Sequence, residues 1–241
     1  MVRTHVGAAT LTNTKGFPNQ DRYRLLGGEV PLVAREPRGH VFAVVDGVGG
    51  APRGGEAAGA VVDVLARFFD PAIPLEAAGL LQILRAVDVA IKAWGDIDGT
   101  DRPLGAAAAS IAWLAPDARL HVFHAGDTRA LLIDGDDVTR LTGDDGGGAL
   151  RNYFGVGRVL IEHVVHPLED GVTLCLVTDG VTKVMDDAEI ARATVGRRAP
   201  EAAAREVVQR ARGKRGVDDI TCVVVDVEVP EAEAPTNWRD D

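Results

Sequence analysis

Four aspartates in this 241-residue chain stand where a strand-like run meets a turn. Asp46 closes the run VFAVV and opens into Gly47-Val48-Gly49-Gly50, and Asp179 closes LCLVT and opens into Gly180. Asp127 sits in HAGDTRALLI between two strand-like runs, and Asp218 stands just ahead of the last one, in GVDDITCVVVDV. Carboxylates that leave buried strands at one sheet edge can converge, and a neighbouring glycine lets a backbone carbonyl approach the same point. Oxygen donors of this kind suit the hard cations Mg²⁺, Mn²⁺ or Ca²⁺, whereas Zn²⁺ and Cu²⁺ call for His or Cys that these segments lack. Taken singly, an Asp beside Gly is ordinary turn chemistry. The ordered set is what points to a metal centre.

The elements that must position these groups are legible as short β-like runs at His40–Asp46, Arg119–Ala125, Thr128–Asp134, Val172–Thr178 and Thr221–Val229, punctuated by Gly, Asp or Pro. Helical periodicity marks Gly54–Phe69 and Leu75–Trp94, joined by a Pro-containing turn into a helical hairpin, and again Asp186–Thr194 and Pro200–Arg212 between the last two strands. Asp186 suits an N-cap and Pro200 a first helical turn. Helices in pairs and strands at hairpin spacing predict an α+β fold in which helices cover antiparallel sheets.

With 46% hydrophobic and 26% charged residues, the chain can bury a core without disulfides. A formal charge of −10 and the lack of a Lys/Arg run argue against a nucleic-acid partner. Cys175 and Cys222 lie within apolar runs, where a reduced core residue is the expectation. The N-terminus lacks the apolar segment of a signal peptide and no stretch has the apolar length of a membrane span, so a cytoplasmic location with no membrane partner is expected. One domain over residues 1–229 is expected, followed by a loose acidic, Pro-containing tail at 230–241 that packs, if at all, through Trp238.

The motifs in their order resemble the PPM (type 2C) family of metal-dependent Ser/Thr protein phosphatases, in its compact bacterial form. Asn19-Gln20-Asp21 resembles the family's Asn-Glu-Asp, VVDGVGG with the following GGEAA its Asp-Gly-Met-Gly-Gly loop and first helix, and Gly126-Asp127-Thr128-Arg129 its Gly-Asp-Ser-Arg. Leu141-Thr142-Gly143-Asp144 is similar to Leu-Thr-x-Asp, Thr178-Asp179-Gly180 to Ser-Asp-Gly, and Asp218-Asp219-Ile220-Thr221 to Asp-Asn-x-Thr. The resemblance, over roughly residues 5–229, implies an α-β-β-α sandwich of two antiparallel sheets flanked by helix pairs, with the metal cluster at one edge of the sheets. It implies two Mn²⁺ or Mg²⁺ ions bridged by Asp46, with the Gly47 carbonyl, Asp179 and Asp218 completing the protein ligands, and room for a third ion between Asp127 and Asp179. Such a pair, about 3.5–4 Å apart, lowers the pKa of a bridging water and neutralises phosphoryl charge. Asp21, Asp46 and Asp179 would then be the catalytic carboxylates, Asp21 by orienting metal waters. The implied substrate is a phosphorylated protein, a Ser/Thr kinase or one of its targets, met by a monomeric enzyme.

Departures from the family pattern are specific. Gln20 stands for Glu, Val48 for Met, Asp145 for the His that often follows Leu-Thr-x-Asp, and Asp219 for Asn, which adds charge beside Asp218. Gly16 occupies the place of the phosphate-binding Arg, which leaves the adjacent Lys15 as the expected phosphate ligand, with Arg22 and Arg53 as other cations nearby. These changes motivate an alternative in which the chain binds metal and a phosphoprotein as a regulatory module without turnover.

Overall fold

The computed structural model describes residues 2–143, 145, 150–196 and 199–230. Asp144, most of the Gly-rich segment around it, and the tail beyond Pro230 with Trp238 lie outside the described residues. In chain order the elements are β1 (Arg3–Leu11), β2 (Arg22–Leu26), α1 (Pro31–Arg35), β3 (His40–Gly47), α2 (Gly54–Val64), α3 (Ala77–Lys92), β4 (Ala107–Leu114), β5 (Arg119–Ala125), β6 (Arg129–Asp134), β7 (Asp137–Arg140), β8 (Glu162–Pro167), β9 (Thr173–Val177), α4 (Asp179–Thr182), α5 (Asp187–Thr194), α6 (Pro200–Gly213) and β10 (Ile220–Glu228). A 3₁₀ turn, Leu65–Phe69, extends α2 toward α3.

The strands form two five-stranded antiparallel sheets, ordered β1-β10-β9-β6-β7 and β2-β3-β4-β5-β8. Alternation along each strand gives each sheet two faces, and both are buried over the central strands. Phe42, Val44, Leu114, Leu120 and Val122 of one sheet meet Leu132, Leu174, Leu176, Val223 and Val225 of the other in an inter-sheet core. Val41, Val45, Ile111, Trp113 and Phe123 point the opposite way and pack under α2 and α3, against Val61, Leu80, Leu84 and Ile91. Leu131, Cys175, Val177, Cys222 and Val224 pack under α4 to α6. The layering is α-β-β-α, as the motif resemblance implies. No helix among the described residues is long and apolar enough to cross a membrane.

The apolar, β-branched strands were visible in sequence, but β1, β2, β4, β7 and β8 were not. The sequence of β4, AAASIAWL, carries the strongest helix former at four of eight positions. It is nonetheless the strand between β3 and β5, with every residue buried. Small side chains there let neighbouring layers approach, a tertiary gain that outweighs intrinsic propensity. At the helix starts local chemistry agrees with the structure: Asp186 and Glu189 form a reciprocal capping box for α5, and Pro200 opens α6.

Candidate metal centre

Antiparallel register sends the end of β3, the β5–β6 turn, the end of β9 and the start of β10 to the same edge of the sandwich, since Gly47 pairs with Ala107, Ala109 with Ala125, and Val177 with both Arg129 and Cys222. Asp46, Asp127 and Asp179 meet there: one carboxylate oxygen from each lies within 4.8 Å of the others, and all three side chains are half-buried. Two close approaches shape the edge. A Cβ on Gly47 would lie 2.5 Å from the carbonyl carbon and oxygen of Gly54, so α2 can start against the end of β3 only because Gly47 has no side chain. A Cβ on Gly180 would lie 1.9 Å from the Asp219 carbonyl oxygen, so the Asp218-Asp219 turn rests directly on the first turn of α4.

Asp218 does not join the three convergent carboxylates directly. It reaches them through Lys183, whose Nζ lies 2.6 Å from Asp179 Oδ2 and 2.9 Å from Asp218 Oδ2. Asp21 is buried beside the cluster; its Oδ2 accepts a hydrogen bond from the Thr178 hydroxyl at 2.8 Å, while its Oδ1 is buried with no hydrogen-bond partner among the described residues. Asp179 Oδ1 is likewise buried without a partner.

The electrostatics follow from this crowding. Burial lifts the Asp21 pKa to about 7, the neighbouring charges of Asp219 and Asp179 add to it, and the hydroxyls of Thr221 and Thr178 work against it. Asp46 is held well above the usual carboxylate range, first by burial and then by the charges of Asp21, Asp179 and Asp127. Crowded carboxylates, with orphaned buried oxygens on Asp21 and Asp179, form a donor set that a divalent cation satisfies, all oxygen and no sulfur or imidazole. The residues present therefore fit Mg²⁺ or Mn²⁺.

Around the cluster other groups have structural roles that sequence spacing did not reveal. Asp219 is tied to the N-terminal loop: its Oδ1 accepts from the backbone and side-chain amides of Asn13 at 2.6 and 2.9 Å, and its Oδ2 from the Gln20 amide at 2.9 Å. The extra charge at this position thus ties the N-terminal loop to β10. Asp145 accepts from the Arg151 and Asn152 amides, both at 2.8 Å, and organises a loop. Behind Asp127, His124 Nε2 donates to the carbonyls of Gly126 and Gly143 at 3.0 and 2.9 Å, which leaves Nδ1 to accept from the Ser110 hydroxyl at 3.1 Å. Ser110 in turn bonds Thr128 at 2.8 Å. Burial keeps this imidazole's pKa low, so it braces the Asp127 turn as a neutral ring.

A cleft of about 560 Å³ opens beside the centre, lined by Lys15, Phe17, Gln20, Arg53, Asp218 and Asp219 among others. Of the cations expected for phosphate, Arg22 spends Nη1 on the Asn19 and Asp21 carbonyls, and Arg53 is paired with Glu56 and stacked on Trp94 at 4.1 Å. Lys15 is an exposed lysine in the cleft wall; against burial, the hydrogen bond and charge of Lys183 lower the Asp218 pKa, with a smaller contribution from the charge of Lys15. Gly16, where the family carries its arginine, has a φ of +81° and open space around its Cα.

Residues 10–214 match the sequence model of the family described as protein phosphatase 2C. The chain belongs to the protein phosphatase 2C family. Its place among protein-serine/threonine phosphatases follows from that membership. Solved phosphatase 2C folds superpose on almost its whole length. The catalytic domain of the serine/threonine phosphatase PstP, in complex with two manganese ions, is 21% identical with a TM-score of 0.78, covering 95% of this chain and 100% of that one. PppA, a regulatory component of the type VI secretion system in Pseudomonas aeruginosa, is 19% identical with a TM-score of 0.77, covering 93% and 98%. The serine/threonine phosphatase of S. agalactiae is 17% identical with a TM-score of 0.74, covering 92% and 98%. At these identities the likeness is one of fold. No curated protein sequence matches the chain significantly.

Proposed function

We propose that this phosphatase 2C chain hydrolyses phosphoserine and phosphothreonine on proteins, opposing a Ser/Thr kinase, with two Mn²⁺ or Mg²⁺ ions held by Asp46, the Gly47 carbonyl, Asp179 and Asp218, and a third ion taken between Asp127 and Asp179. The observation that carries the reading is the meeting of Asp46, Asp127 and Asp179 within 4.8 Å at one edge of the sandwich. Bound divalent ions supply an activated water and neutralise charge on the phosphoryl oxygens. The chain's own residues do the rest. Asp46, near the end of β3, lies close to both Asp127 and Asp179 and would hold bound ions together with Asp179. Asp21, fixed by Thr178 through Oδ2, keeps a second oxygen, Oδ1, that would orient water at the centre. Lys15, on the cleft wall, meets the incoming phosphate as a point charge. The chain has a single serine, Ser110, which is buried and bonded to His124 and Thr128, so no covalent serine intermediate is part of the scheme.

Manganese-dependent hydrolysis of p-nitrophenyl phosphate and of a phosphothreonine peptide tests this directly. Both activities are expected in the wild type and absent from Asp46→Asn and Asp179→Asn, with Lys15→Ala raising KM for the peptide. No turnover over a range of pH and divalent metals would defeat the proposal. A second reading, binding without turnover, is favoured by the open space at Gly16 where the family's arginine would stand. Calorimetry that finds Mn²⁺ and phosphopeptide bound, beside an assay that finds nothing hydrolysed, would select it.

A further inference from the structure

The metal centre already contains a cation. Lys183 follows Asp179 by four residues across the single turn of α4, a spacing that puts both side chains on the same side of the helix. Its ammonium stands 2.6 Å from Asp179 Oδ2 and 2.9 Å from Asp218 Oδ2, and it joins two carboxylates that approach each other from separate elements, α4 and the turn before β10. The lysine side chain remains 55% exposed, with solvent on the side away from the carboxylates. The proposed function assigns both residues to a divalent ion, and an ion held by both would sit in the gap between them that the ammonium fills. Two cations cannot occupy that one gap: a hard ion about 2.0–2.6 Å from each carboxylate would stand against the ammonium and repel it.

We propose that Lys183 is a resident counter-ion of the Asp179–Asp218 pair, so that the divalent ion taken by these two carboxylates binds only by displacing the lysine into solvent. This rests on the metal-centre reading above and adds to it an affinity set by a residue of this chain. An ion that does not draw on both Asp179 and Asp218 meets no such competition from Lys183. The Asp179–Asp218 site is the weaker for it. Because the lysine is half-exposed, its displacement costs little beyond a surface-type ion pair, so the site is weakened without being closed.

Mn²⁺ binding, read by titration calorimetry and by the electron paramagnetic resonance signal of free Mn²⁺, separates the outcomes without any substrate. Wild type is expected to show two unequal steps. Lys183→Met, which keeps the stem and removes the charge, tightens the weaker step by about fivefold, and Lys183→Arg, which keeps a charge, stays within about twofold of wild type. Melting adds a readout that a merely structural lysine would not give. Lys183→Met lowers the melting temperature of the chelated protein, because Asp179 and Asp218 lose their counter-ion, yet matches or exceeds wild type when saturated with Mn²⁺. Equal or weaker Mn²⁺ binding by Lys183→Met, or a melting loss that persists at saturating Mn²⁺, overturns the proposal. If wild type takes up no Mn²⁺ that Asp46→Asn abolishes, the metal-centre reading fails and this inference fails with it.

Discussion

Asp21 shows how burial and neighbouring charge set what a single residue does. Its pKa of about 7 in the folded chain lies above the ordinary carboxylate value of 3.8, so the folded state favours its neutral form. The penalty for ionising it is absent below about pH 4, grows as pH rises, and is complete above about pH 7. Other carboxylates shift the opposite way; Asp187, paired with Arg129 and Arg140, is one. The Asp21 contribution is therefore read by comparison with a variant. In chelator, Asp21→Asn should gain stability relative to wild type between about pH 4 and pH 7 and level off beyond, as followed by thermal melting. A constant difference across that range would show that Asp21 is not buried neutral. At the same scale lies the distinction between Asp218 and Asp219: adjacent, chemically identical and both lining the cleft, one is held by Lys183 while the other is tied to Asn13 and Gln20.

The centre also depends on elements meeting at close range, and glycine governs the contact. The first turn of α4 and the turn before β10 touch at Gly180, where a methyl group would stand 1.9 Å from the Asp219 carbonyl oxygen. Gly180→Ala must push these elements apart. It is expected to cost about 1–3 kcal/mol, as overpacking does, measured by urea unfolding, and to weaken Mn²⁺ binding as Asp179 and Asp218 separate. An unchanged Mn²⁺ affinity would mean that the two turns adjust without moving their carboxylates. The β5–β6 turn has a different support, the buried Ser110–His124–Thr128 chain and its bonds to two glycine carbonyls. Sequence spacing gave no sign of this brace, because His124 and Ser110 sit on different strands and meet only by register.

At the scale of the molecule, both sheets contribute to the cluster, Asp46 from the β2-β3-β4-β5-β8 sheet and Asp179 and the turn before β10 from the β1-β10-β9-β6-β7 sheet. An ion that joins them should brace the whole sandwich. Mn²⁺ at about a hundred times its Kd is expected to add about 2.7 kcal/mol of stability, seen as a rise in melting temperature that a chelator reverses and Asp46→Asn abolishes. A metal effect on melting that survives Asp46→Asn would place the bound ion elsewhere. What the sequence determined by itself was local: β-branched runs bounded by Gly and Asp made β3, β5, β6, β9 and β10 legible, and their terminal aspartates named the oxygen donors and the class of cation. An alanine-rich strand such as β4 was not legible, since its place depends on what packs around it. Tertiary structure alone decided that Asp46, Asp127 and Asp179 share one point, that Asp219 is bonded to Asn13 and Gln20, and that Lys183 stands between Asp179 and Asp218. Charge and hydrogen bonding act through space over a few ångströms, and residues more than a hundred positions apart reach that distance only when two sheets stack in register.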